Sequence, residues 1–310
     1  MHREPIEALA DLVPPTRGMR SVIAQRFDAA SPAPSHEGCW VVEEQALRVE
    51  VESVGHYTLM CTPTGSAEAM GYLAHDGLLG DAGEPGALAL AAGFLLTEGL
   101  IDGVDEVVSM AVCPESAARV QVRLADPARV RSARRSGLVT SSCGVCANVD
   151  GLADLGGKAW RIDRTLVVGA DTLQSHLLAM RERQTIFGRT GGTHAAALFA
   201  ADGRLLALAE DLGRHNALDK VIGHCLLQAL PTRGGCVALS GRVSLEMITK
   251  AARAGIELVA AVSAPSSMAI DAAQQVGLTL CGFVRGDRLT AFTHPQRLAP
   301  SRGAGPSRPA

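Results

Sequence analysis

Residues 236–284 read CVALSGRVSLEMITKAARAGIELVAAVSAPSSMAIDAAQQVGLTLCGFV. Three short apolar runs, 236–239, 257–262 and 278–284, alternate with two helical stretches, 244–254 and 267–276. Gly255 and Gly277 stand just past the helix ends, where a left-handed C-cap is wanted. Strands that alternate with helices imply crossover connections and a parallel sheet, so the chain is predicted to be α/β. In such sheets ligands bind beyond the carboxyl ends of the strands. The segments leaving those ends are 240–244 (SGRVS), 263–267 (SAPSS) and 285–288 (RGDR). Two of them enter helix N-termini, where free amides and the macrodipole favour anions. Any one of them is also what a Ser cap or a surface Arg looks like. Three converging on one sheet edge point to an anionic ligand of nucleotide type.

Upstream, the apolar runs 195–200 and 205–209 flank Asp202-Gly203, a hairpin signal. A helix is expected from Asn216 to about Leu230, with Asp219 in a weak capping-box position. Between Trp40 and Val122, strand-like runs (41–42, 47–51 and 57–60) accompany one clear helix, Ala87–Thr97. A Gly-rich stretch, 66–85, precedes that helix. Pro14-Pro15 and the 31–34 Ser-Pro-Ala-Pro run mark 1–35 as a flexible lead, and 299–310 reads as a disordered tail. The expected organisation is that lead, a small α/β domain over 36–140, a larger domain over 141–298, and the tail.

The 310 residues are 47% hydrophobic, with 3% aromatics and a formal charge of −3. That composition builds a sizeable core. It leaves neither the basic footprint nor the stacking platform that nucleic-acid binding uses. The longest apolar stretch, 87–96, is about half of the ~20 residues a membrane span needs. Glu4, Glu7 and Asp11 interrupt the place of a signal-peptide core. A cytoplasmic protein without membrane or nucleic-acid partners is expected.

Of eight cysteines, six are singletons in apolar settings and read as buried small hydrophobes. Cys143 and Cys146, in the 141–146 segment SSCGVC, form the one motif. This spacing suits a redox pair, half of a zinc site, or a nucleophile with a neighbouring thiol. Arg129, Arg131, Arg134 and Arg135 precede it and would favour thiolate. A thioredoxin-type pair would open a helix just after an early strand. A zinc site needs two further ligands, and His194 and His215 lack the spacing. The zinc deaminase pattern, H-x-E with P-C-x-x-C, is also missing, because Ser142 occupies the Pro position. No metal is expected. Sulfur chemistry remains: an exposed thiolate can accept a sulfane sulfur, hold it as a persulfide and pass it on.

Five motifs occur in this order: C-G-V-C (143–146), T-G-G-T-H-A-A-A (190–197), E-D-L-G-R-H-N-A-L-D-K (210–220), S-G-R-V-S-L-E-M (240–247) and T-H-P-Q-R (293–297). Together they closely resemble the formate dehydrogenase accessory sulfurtransferase family of the FdhD/NarQ type, over roughly 40–298. The resemblance implies a cytidine-deaminase-like three-layer α/β/α domain without deaminase chemistry, preceded by a smaller domain, in a homodimer. It also implies a function. Sulfur from a cysteine desulfurase would pass to the bis(molybdopterin guanine dinucleotide) molybdenum cofactor, held as a bound substrate, before insertion into formate dehydrogenase.

By motif match Cys143 would carry the persulfide and Cys146 would be an auxiliary thiol. Phe283, Val284, Arg285, Gly286, Asp287 and Arg288 match the family segment that contacts the cofactor, where Arg285 and Arg288 suit phosphates. Ser240, Gly241, Arg242, His194 and His215 are softer candidates for the same pocket. The 66–85 stretch reads as an insertion, and Ala147 follows the cysteine pair where the family commonly has Gly. Two rival readings are a cofactor-binding chaperone with incidental thiols and a zinc-dependent hydrolase.

Overall fold

A computed structural model describes residues 16–29, 34–65, 71–79, 85–130, 137–139 and 162–299. Strands β1 (Met19–Arg26) and β2 (Ser35–Val42) pair antiparallel over all 8 residues. Part of the supposedly loose 1–35 lead is thus a strand, because pairing along its whole length with Ser35–Val42 outweighs the flanking prolines. Strands β3 (Gln45–Val51), β4 (Gly55–Cys61), β5 (Gly71–Leu73) and β6 (Gly77–Leu79) follow. Helix α1 covers Ala87–Thr97, as the sequence predicts. Strands β7 (Val107–Cys113), β8 (Ser116–Leu124) and β9 (Gly137–Val139) complete a seven-stranded sheet in the order β6-β5-β7-β8-β3-β4-β9. The hairpin β5–β6, inside the 66–85 stretch, extends one edge of that sheet.

The second half opens with β10 (Val168–Gly169), α2 (Ala170–Glu182) and α3 (Thr185–Thr190). Then come β11 (His194–Phe199), β12 (Leu205–Asp211), α4 (Arg214–Leu227), β13 (Cys236–Leu239), α5 (Leu245–Arg253), β14 (Leu258–Ala261), α6 (Ser267–Val276), β15 (Thr279–Arg285), β16 (Arg288–Thr293) and β17 (Leu298–Ala299). The six-stranded sheet runs β12-β11-β13-β14-β15-β16. Its centre, β13-β14-β15, is parallel as expected, and β11 and β16 flank it antiparallel. Gly255 and Gly277 take φ of 71° and 83°, the left-handed caps the sequence predicts. Among the described residues no helix is long and apolar enough to cross a membrane.

Side chains alternate across a strand, and this sheet is covered on both faces. Cys236, Ala238, Leu258, Ala260 and Cys281 pack with Leu173, Leu177 and Met180 of α2. Val237, Leu239, Val259, Ala261 and Leu280 face the other way, toward α4, α5 and α6. Three layers result, helix on sheet on helix. The core on the α4 side continues without a break into the seven-stranded sheet through α1. That helix is apolar all round, so it is buried all round. It crosses α4 at Gly93 and Gly223. A Cβ at Gly93 would overlap the Asp219 carbonyl, and one at Gly223 would overlap the Ala89 carbonyl and the Gly93 amide.

Two buried lysines tie the halves together. Lys220 Nζ pairs with Asp211 at 2.8 Å and donates to the Thr62 carbonyl at 2.8 Å and Thr64 Oγ1 at 2.8 Å. Lys250 Nζ pairs with Asp219 at 2.9 Å and Glu98 at 3.0 Å and donates to Thr97 Oγ1 at 2.9 Å. Asp219 therefore lies inside α4, facing α1, rather than capping the helix. The cap position is Gly213, because α4 begins at Arg214 and not at Asn216.

Candidate functional site

Strand polarity decides what meets at the ligand-binding edge of the six-stranded sheet. β13, β14 and β15 deliver their carboxyl ends at Ser240, Val262 and Arg285. β11 runs against β13, so its first residue, His194, lies at the same edge. β12 runs against β11 with Asp211 opposite His194. The 212–214 link into α4 therefore starts there too.

A cleft of about 690 Å³ opens at this edge. Ser240, Val262, Val284, Arg285 and Gly286 line it from the strand ends. Gln174, Leu177, Leu178 and Arg181 line it from α2, and Phe187, Gly191, Gly192, Thr193 and His194 from the segment around α3. Apolar walls with a few polar groups are the usual make-up of a small-molecule site.

Glu210 holds the rim in place. Its buried carboxylate accepts the amides of Ile186 and Phe187, each at 2.8 Å, and the Thr193 hydroxyl at 2.8 Å. It thereby caps the first turn of α3, whose N–H groups have no helical partner, and orients Phe187 and Thr193 toward the cleft. Ser240 Oγ accepts the Ala195 amide at 2.8 Å, which joins the β13 loop to β11.

The 283–288 segment divides. A register shift between Gly282 and Arg285 interrupts the β15–β16 ladder, and Phe283 takes a left-handed φ of 52°. That conformation is strained for a residue with a Cβ. The bulge turns Val284 inward, where it is buried, and leaves Phe283 exposed against Phe292, with ring centroids 6.2 Å apart. Of the six residues named from the sequence, Val284, Arg285 and Gly286 line the cleft. Phe283, Asp287 and Arg288 do not, and the last two lie at the exposed turn, with side chains 97% and 91% accessible.

Of the softer candidates, Ser240 and His194 line the cleft. Gly241 packs beneath His194: a Cβ there would stand 3.1 Å from His194 Nδ1 and 3.6 Å from Arg214 Cδ. His215 is buried away from the cleft, with Nε2 at 3.5 Å from both Ser244 Oγ and Glu246 Oε2. Burial first, then the positive fields of Arg214 and Arg242, lower the His194 pKa, and Asp211 pulls the other way. His194 thus favours a neutral imidazole, able to accept or donate one proton. Arg214 and the α2 residues Gln174 and Arg181 are site-region residues that the sequence reading did not single out. Arg214 had a signal, lying inside the 210–220 motif, while the α2 residues had none.

Cys143 and Cys146 lie outside the described residues. Four of the six singleton cysteines, Cys61, Cys225, Cys236 and Cys281, are buried, and Cys39 and Cys113 are half-buried. Burial pushes the thiols of Cys61, Cys225 and Cys281 up to about 12, which leaves almost no thiolate for chemistry.

Comparison with known proteins bears on the fold and the family. The chain matches the FdhD/NarQ family over residues 84–299. It is 40% identical over 217 residues to the sulfur carrier protein FdhD of Thermoplasma acidophilum, covering 68% of this chain and 75% of that one. It is 35% identical over 267 residues to the sulfur carrier protein FdhD of Bordetella bronchiseptica, covering 84% and 87%. Among solved structures, a protein of Desulfotalea psychrophila described as a formate dehydrogenase accessory protein superposes with a TM-score of 0.66 at 21% identity, covering 90% of this chain and 99% of that one. That last likeness carries the α/β fold alone; the sequence matches carry more, and by them the chain belongs to the FdhD/NarQ family.

Proposed function

We propose that this chain is a sulfurtransferase serving formate dehydrogenase, with Cys143 as the sulfur-carrying thiol and Cys146 as its auxiliary. The Cys143 thiolate attacks the outer sulfur of a cysteine desulfurase persulfide, takes that sulfur as Cys143–S–SH, and releases the desulfurase thiolate. The Cys146 thiolate then attacks the inner sulfur of that persulfide, closing a Cys143–Cys146 disulfide and releasing the outer sulfur as hydrosulfide, which would pass to the molybdenum of the bis(molybdopterin guanine dinucleotide) cofactor, the bound substrate, in exchange for a water ligand. A receptacle lies at the strand ends, where Arg285 and Gly286 line one cleft with Ser240 and His194. That juxtaposition is the observation that supports the reading most. A guanidinium and a flexible turn can approach a pyrophosphate closely, and apolar walls from α2 can hold the flat rings. The cytidine-deaminase-like kinship and the homodimer implied by the sequence resemblance belong to the same reading.

The test is mass spectrometry of the intact protein after incubation with a cysteine desulfurase and cysteine. One added sulfur mass that localises to Cys143 and is lost in Cys143→Ala supports transfer. If Cys143→Ala still matures formate dehydrogenase fully, covalent transfer through this thiol is wrong. The chaperone reading then stands, with Arg285→Asp abolishing maturation and removal of both thiols tolerated.

A further inference from the structure

Just beyond His194 lies a knot of positive charge with no balancing ion pair among the described residues. Arg214, the first residue of α4, and Arg242, in the loop after β13, act on each other and on His194. Glu246 is the carboxylate that pulls on Arg214, yet its contact, at 3.5 Å, is with His215. Arg214 Nε is buried without a hydrogen-bond partner among the described residues. A buried guanidinium N–H left unpaired is costly, and two arginines that make no ion pair among the described residues repel each other beside one imidazole. Asp211 opposes the knot only in part. Its oxygens are taken by Lys220, by the Thr62 and Gly213 amides and by the Asn216 side chain. The packing is also unusually close. Gly241 lets His194 and Arg214 converge on its backbone, where any Cβ would crowd the imidazole.

We infer that His194, Arg214 and Arg242, gathered over Gly241, form an oxyanion subsite that takes a phosphate or pyrophosphate group. It is distinct from the Arg285–Gly286 turn and opens on the same cleft through His194. The inference rests on the proposed dinucleotide cleft and deepens it, assigning a second point of phosphate capture on the β11 side. Binding an anion there supplies acceptors for the unpaired Nε–H and neutralises the repulsion. It also favours the imidazolium of His194, so the anion and a proton bind together.

The experiment uses the full chain with inorganic pyrophosphate and, separately, GDP as probes, following the His194 ring signals by NMR across pH. Pyrophosphate is expected to bind saturably and raise the His194 midpoint. Arg214→Gln and Arg242→Gln are each expected to weaken it about tenfold, the size of one lost charge-assisted bond. Arg204→Gln, at the far end of the β11–β12 hairpin, leaves binding unchanged. Thermal midpoints show that the variants fold, and Arg242, being exposed, is the safer of the two. The inference is overturned if pyrophosphate leaves His194 unmoved, or if both variants bind it as the unmodified chain does. GDP binding that is lost in Arg285→Ala but kept in both other variants sinks the subsite and spares the cleft. Pyrophosphate capture at His194 without any GDP binding does the reverse.

Discussion

The molecule holds two pairs of strongly basic residues, and it treats them in opposite ways. Lys220 and Lys250 are sealed in the interior, each on a carboxylate and at least two further oxygens. Arg214 and Arg242 sit behind His194, outside the residues that line the cleft, with no ion pair among the described residues. Removing an ion from water costs several kcal/mol and is tolerated only where partners are complete. The lysines therefore belong to the fold. The arginines keep their charge for something that arrives from outside.

The largest effect is expected at the sealed lysines. Lys220→Met strands the Asp211 carboxylate in the interior and is expected to cost about 3–5 kcal/mol, read from urea denaturation. A loss under about 1 kcal/mol would mean that the tie contributes little. Next comes a third buried basic group, His176, which is neutral rather than paired. It stacks on Phe199 at a centroid distance of 3.8 Å, and burial lowers its pKa to about 4. The unfolded chain, near its ordinary 6.5, takes up the proton first. The contribution of His176 is therefore complete above pH 6.5 and is lost as pH falls from 6.5 toward 4. It amounts to about 3 kcal/mol. His176→Phe should flatten that part of the stability–pH curve, and an unchanged slope would place the effect elsewhere.

A finer cut replaces the second lysine pair whole. Lys250→Met with Asp219→Leu should regain roughly 1–3 kcal/mol of what Lys250→Met alone loses, since the fully buried carboxylate is then gone and Glu98, the remaining partner, is half-exposed to water. Chemical denaturation of the single and double variants measures it. Smallest of all, Arg242→Gln should shift stability by no more than about 0.5 kcal/mol. Arg214→Gln should leave stability unchanged or raise it by at most about 1 kcal/mol. A large loss at either arginine would return it to the fold and erase the contrast.

Much of this was legible in the sequence. The alternation over 236–284 shows the parallel strands, the capping glycines and the edge where the cleft lies. Ser240, Arg285 and Gly286 follow from that edge, whereas His194 and Val284 came only from the family resemblance. The division of the 283–288 segment was not legible, because a β-bulge shifts which residues face inward without altering their identities. Nor was α2, whose buried stripe of Leu173, His176, Leu177 and Met180 includes a histidine that hides the helical period. The 210–220 motif was conspicuous, but nothing in it shows what its charged residues do. Asp211, Asp219 and Lys220 look like reactive groups and are instead pinned to each other or to neighbouring chain. Their partners, Thr62, Thr97 and Lys250, lie far away in sequence, and no local pattern announces them.

The crossing of α1 over α4 has a last consequence, for traffic. With main chain resting on main chain between residues 93 and 223, the two sheets have no slack to part like jaws. If the cleft takes the proposed dinucleotide, such a ligand would slide in along the rim, and its release would come from rearranged loops there rather than from a swing of one half against the other.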